Sequence, residues 1–234
     1  MEFLQTADFW IGLFNIILIN IILSGDNAVV IALAARSLPP KERKLAILYG
    51  SGAAVVLRIL LTVVAAKLLE LPYLQIIGGL LLLWIGVQLL AEEDDGEEGE
   101  AKEHSSLRSA MLTILVADLV MSLDNVIGVA AAAKGSMILL VLGLAISIPL
   151  IVFSSNIMMN LMARFPLIIT LGAALIGWVS GEAVIHDTAI HDWVQENPVL
   201  NYAVPAVCAA FVVVVGKYLQ RKSSSEDTPA SETH

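Results

Sequence analysis

Two short strings set in apolar surroundings hold the residues whose types and spacing could do chemistry. The first is Asn20-x-x-x-Ser24-x-Asp26-Asn27 and the second is Asp118-x-x-x-Ser122-x-Asp124-Asn125. Together they offer carboxylate, amide and hydroxyl oxygens. An all-oxygen set with two or three carboxylates suits a hard cation such as Mn2+, Mg2+ or Ca2+ and disfavours a zinc site of the His/Cys type. A monovalent cation is compatible too, although three carboxylates are generous for one charge. The expected metal ligands are Asp26, Asn27, Asp118, Asp124 and Asn125, with Asn20, Ser24 and Ser122 in support.

The elements that hold these strings belong in a bilayer. The 234-residue chain is 58% hydrophobic with a mean hydropathy of +0.83, far too apolar for a soluble domain, in which charged residues alone make up about a quarter. Seven stretches reach the roughly 20 apolar residues that a helix needs to cross: 9–35, 44–69, 72–91, 109–133, 136–162, 166–184 and 199–219. The runs are long and continuous, so an all-α polytopic fold is expected, not a membrane barrel. Pro39-Pro40, Pro72, Pro166 and Pro198 punctuate the boundaries, while Pro149 falls inside the fifth span, where a kink is expected. The opening segment lacks the pattern of a cleaved secretory leader and is expected to be kept as a span.

Counted by alternate loops, Arg36, Lys41, Arg43, Lys44, Lys102, Arg108, Arg164, Lys217, Arg221 and Lys222 fall on one side and only Lys67 and Lys134 on the other. The positive-inside rule makes the first side cytoplasmic, with the N-terminus outside and the C-terminus inside. The net charge of −9 mostly describes one loop, since eight acids lie between Glu92 and Glu103. That run concentrates cations at a cytoplasmic mouth or is simply a solvated linker. The acidic balance excludes a nucleic-acid partner. Cys208 is the single cysteine, so no disulfide framework or thiolate cluster forms within one chain.

The two strings are related by a 98-residue shift, and a 94-residue shift superposes Pro72, Gly78 and Trp84 on Pro166, Gly172 and Trp178. The repeat unit is therefore three helices. Three crossings reverse direction, so the expected organisation is residues 1–91 and 109–185 as two inverted three-helix repeats. An acidic cytoplasmic loop at 92–108 joins them. An extracytoplasmic loop at 186–198, a seventh span at 199–220 and a disordered tail at 221–234 follow. Inverted repeats of this kind are a transporter architecture, with substrate bound near the midplane where the halves meet.

Ionisable residues at bilayer depth are costly and rarely face lipid. Asp26, Asp118 and Asp124 are in that position, as is Arg58, which either neutralises one carboxylate permanently or holds the empty site until a cation displaces it. On a straight helix Asn20, Ser24 and Asn27 share one face while Asp26 points about 100° from Asn27. Gly25 permits a local unwinding that would turn Asp26 inward; the second string has Leu123 there. The plainer alternative is that these polar groups only glue helices together, which accounts for Ser and Asn better than for three buried Asp.

Glu182 is expected to line an exit path or to sit at the interface. His186-Asp187 and His191-Asp192 resemble a metal pair, but the five-residue spacing of the histidines departs from a helical i, i+4 site and favours an ordinary polar loop. Trp10, Trp84, Trp178 and Trp193 read as interfacial anchors.

The strings NIILSGDNAVVIALAAR and DLVMSLDNVIGVAAAA resemble the TerC family of integral membrane proteins, particularly its YjbE-type bacterial members, over roughly residues 9 to 220. The resemblance implies manganese export, within a broader superfamily of cation and amino-acid exporters with a historical link to tellurite resistance. It matches Asp26, Asn27, Asp124 and Asn125, with Asp118 in the second motif and Asn20 in its place in the first. The expectation is thus a transporter, not an enzyme. Cytoplasmic Mn2+ is its cargo, no cofactor is needed, and protons are the counter-ion, since clustered carboxylates tend to bind protons when the metal is absent. The rival readings are an intramembrane aspartyl hydrolase, which the symmetric Asn partners disfavour, and a non-transporting membrane partner of secreted enzymes.

Overall fold

A computed structural model describes residues 7–23, 25–68, 71–92, 106–133 and 136–226. Their elements are α1 (Ala7–Leu23), α2 (Gly25–Ala35), α3 (Pro40–Leu68), α4 (Leu74–Ala91), α5 (Leu107–Ala133), α6 (Met137–Arg164), α7 (Leu167–Ile185), α8 (His191–Glu196) and α9 (Leu200–Glu226). Among the described residues there is no strand. Five helices contain segments long and apolar enough to cross a bilayer: Pro40–Val64, Leu74–Ala91, Met137–Arg164, Leu167–Ile185 and Leu200–Lys222. The expected first span corresponds to α1 and α2, and the expected fourth to α5, which carries the second acidic string.

Local chemistry accounts for most of the boundaries. Ser136 caps α6, its hydroxyl accepting the Leu139 N–H, and α6 continues through Pro149 to Arg164. The unwinding expected around Gly25 adjoins Ser24, which lies outside the described residues. Two details differ from expectation. The 186–198 loop contains the short helix α8, and α9 runs on to Glu226, so the first residues of the tail expected to be disordered are helical. Lys, Arg, Ser and Glu at 221–226 include good helix formers, and a helix already nucleated in the membrane extends through them cheaply.

The largest core joins α2, α4, α5 and α7, with Ile47 from α3 and Ile151 and Met162 from α6. A second joins α1 to the far ends of α5 and α6 through Phe9, Leu13, Ile16, Val129, Leu139, Leu140 and Leu144. α3 packs on α5, while α6 packs on α1 and α2. In the first pairing Gly50 faces Ile114, and in the second Gly143 faces Ile16; Ile16 and Ile114 are the residues that the 98-residue shift superposes.

α9 lies at the periphery against α4 and α7. Its contact with α7 is a backbone approach: a Cβ on Gly177 would lie 2.7 Å from Ala209 Cα, and one on Gly181 would lie 2.5 Å from Pro205 Cα. Small residues four apart let membrane helices meet this closely, and van der Waals packing, not hydrophobic exclusion, then holds them. α4 and α7 meet likewise at Gly79, whose carbonyl accepts the Ser180 hydroxyl at 2.7 Å.

Candidate functional site

Arg58, in the middle of α3, reaches across to α5. Its Nη2 donates to Asp118 Oδ1 at 2.5 Å and its Nε donates to Ser122 Oγ at 2.9 Å. Ser122 lies one turn after Asp118, and its hydroxyl donates to Asp118 Oδ2 at 3.1 Å, which closes a ring of three side chains. Arg58 is 2% exposed and Asp118 7%. Leu57, Leu61, Leu119 and Val126 form an apolar cluster beside them. A guanidinium does not give up its proton in proteins, so burial at this depth requires an acceptor, and Asp118 with Ser122 supplies it.

Asp26 sits in the first turn of α2, half-buried. Its Oδ1 accepts the adjacent Asn27 N–H at 2.8 Å. Asp26 lies within electrostatic range of both Arg58 and Asp118, and Asn27 beside it is buried. Asp118 and Ser122 from the second string thus bond one guanidinium, and Asp26 from the first lies within its electrostatic range. The side chains of Asn20, Asp124 and Asn125, and the whole of Ser24, lie outside the described residues. Among the described residues no group of three His, Cys, Asp or Glu side chains could hold a metal ion.

The remaining flagged residues take other roles. Glu182 Oε1 accepts the Trp178 indole N–H at 2.9 Å, so this tryptophan is bonded within its own helix, whereas Trp10, Trp84 and Trp193 are exposed. Asp187 is 1% exposed. Its carboxylate accepts four backbone N–H groups: Tyr73 at 2.9 Å, Gln75 at 3.0 Å, Ile76 at 3.1 Å and Ala189 at 2.8 Å. Burial pushes this carboxyl upward, but the four N–H groups together outweigh it and hold Asp187 below its ordinary value near 3.8. Asp187 therefore caps α4 from 111 residues or more away and holds Tyr73 in a left-handed conformation, φ 69°. His191 pairs with Gln195 and both His186 and His191 are exposed, in keeping with a polar loop.

At its other end α4 is held by Arg36, whose Nη2 donates to the carbonyls of Leu89, at 3.1 Å, and Glu92. The sequence offered no signal for either long-range terminus contact, although the Gly177-x-x-x-Gly181 spacing was a readable sign of helix contact. A cleft of about 470 Å3 between α4, α5 and α9 is lined by Trp84, Gln88, Glu92, Ser109 and Thr113 and includes none of the expected ligands.

The family described as "Integral membrane protein TerC family" matches residues 5–224. The membrane protein YjbE of Bacillus subtilis is 41% identical over 214 residues, covering 92% of this chain and 97% of that protein. The membrane protein YceF of the same organism is 23% identical over 227 residues, 93% of this chain and 86% of that protein. The inner membrane protein YoaE of Escherichia coli is 32% identical over 145 residues, which is 54% of this chain but only 28% of that protein. No solved structure matches the chain.

Proposed function

Since this multi-pass chain belongs to the TerC family of integral membrane proteins, we propose that it carries divalent metal ions, foremost manganese(II), out of the cytoplasm by alternating access. The observation that carries the reading is the buried bonding of Arg58 to Asp118 and Ser122, with Asp26 within electrostatic range, inside the membrane part of the fold. Polar groups placed there at such cost mark an ion path by default. Cytoplasmic Mn2+ would enter between the halves and exchange most of its water for oxygens of Asp26, Asn27, Asp124 and Asn125, with Asp118 alongside. It would leave after the halves rock open to the other side. Protons returning to the carboxylates would balance the charge.

Two further observations support a 3+3 inverted arrangement with α9 appended. The packing of α3 on α5 is echoed by that of α6 on α1 and α2, down to Gly50 on Ile114 and Gly143 on Ile16. The lysine and arginine count supports an outside N-terminus and a cytoplasmic C-terminus. The hydrolase alternative loses ground, because it needs two carboxylates sharing a proton, and Asp118 faces a guanidinium instead.

The test is Mn2+ flux into proteoliposomes, with pH recorded on both sides, for the native chain and for Asp26→Asn and Asp124→Asn. Flux should fall at least tenfold in each variant. Native flux in both would sink the site, and metal movement without opposing proton movement would sink the coupling.

A further inference from the structure

We infer that Arg58 is a permanent counter-charge that keeps Asp118 out of the metal's coordination shell, so that the site offers the cargo a net charge of minus two. The inference rests on the transport reading above and assigns a positioning role to a residue that does not touch the metal. Both oxygens of Asp118 are engaged, Oδ1 by Arg58 Nη2 and Oδ2 by the Ser122 hydroxyl, and that hydroxyl also accepts Arg58 Nε. A cation arriving at Asp118 would have to displace a guanidinium that cannot deprotonate, in a place where Arg58 is 2% exposed and flanked by Leu57, Leu61 and Leu119. Stripping a buried charge of its partner is among the most costly changes a protein interior can undergo. Asp26 differs. It is half-buried and within range of Arg58, and its carboxylate accepts the adjacent Asn27 N–H, with no salt bridge among the described residues.

The other half of the chain supports the same conclusion. Where the second string has Asp118, the first has the neutral Asn20. The paired contacts Gly50 on Ile114 and Gly143 on Ile16 also set the register of α3 against α6. In that register Arg58 corresponds to Ile151, which is buried in the apolar core. Both members of the ion pair are thus replaced together, by an amide and an aliphatic side chain. Outside that pair each string keeps one acidic residue, Asp26 or Asp124, and two carboxylates match one divalent cation.

The experiment measures Mn2+ affinity and melting temperature of the purified full-length protein in lipid nanodiscs, for the native chain, Arg58→Gln, Asp118→Asn and the double variant. Asp118→Asn leaves the Arg58 charge uncompensated beside the site, so affinity should fall at least tenfold. Arg58→Gln adds a free negative charge and should raise affinity. The double variant restores the charge balance and should bind Mn2+ within about threefold of the native chain, since an interaction confined to the pair vanishes when both members are removed. A double variant as weak as Asp118→Asn would overturn the inference and make Asp118 a ligand. So would unchanged affinity in Asp118→Asn alone. If either single variant fails to fold, the double variant against the native chain decides. A native chain that binds no divalent cation defeats the transport reading instead, and that outcome is distinct from the others.

Discussion

The α4–α7–α9 side of the molecule and the α2–α3–α5 side are built by opposite means. On the first, backbones touch at Gly79, Gly177 and Gly181, and the ions Asp187 and Arg36 stand at helix ends and bond main-chain groups. On the second, Arg58 and Asp118 stand in mid-helix and bond one another, and Asp26, in the first turn of α2, remains half-buried beside them without a salt bridge among the described residues. An ion that completes a helix end adds to stability, because the N–H or C=O it satisfies would otherwise go without. A side-chain ion in mid-membrane costs stability and is retained for what it does. On the proposed function, the first side is scaffold and the second is site.

The contrast can be broken most severely at Gly181. Any larger side chain there meets the Pro205 main chain, which cannot yield as a flexible side chain would. Gly181→Leu should undock α9 and cost about 3 kcal/mol or more, read as a lowered melting temperature in detergent. Asp187→Ala should follow at about 2–4 kcal/mol, since four N–H groups lose a charged acceptor, and Asp187→Asn should recover part of that loss.

Acid provides a second way to test the same clamp. Because the folded-state pKa of Asp187 is depressed, its contribution is fully present above the unfolded value near 3.8 and disappears as pH falls through the lower, folded one. Melting temperature should therefore drop on acidification below about pH 4, by less in Asp187→Asn than in the native chain; equal drops would contradict this. Trp178→Phe, which removes one partly buried hydrogen bond to Glu182, should cost about 1 kcal/mol. Asp26→Asn should change stability least of all while removing Mn2+ flux, and a large loss of stability in that variant would move Asp26 from site to scaffold.

The helices were legible because continuous apolar runs and prolines act locally, and α3, α4, α6, α7 and α9 follow them closely. Arg58 and Asp118 were legible as ions that needed partners. Their pairing across 60 residues was not, because periodicity within a helix says nothing about which neighbour it faces. Asp187 was hidden more thoroughly. In sequence it looks like any acid in a polar loop, and its importance comes from the start of α4, which has no side-chain cap of its own: Tyr73 stands at that position. α8 escaped notice because six residues are too few for a helical period to show.

α4 has no ionisable residue between Leu74 and Ala91, yet both of its ends are closed by charges borrowed from other parts of the chain. This sets an order of events during synthesis. Arg36 leaves the ribosome before α4 does, so the late carbonyls have their donor as soon as the helix is inserted. Asp187 emerges more than a hundred residues later, and until then the opening turn of α4 and the strained Tyr73 wait unfinished in the membrane. A chain interrupted anywhere before residue 187 keeps that turn without its acceptor.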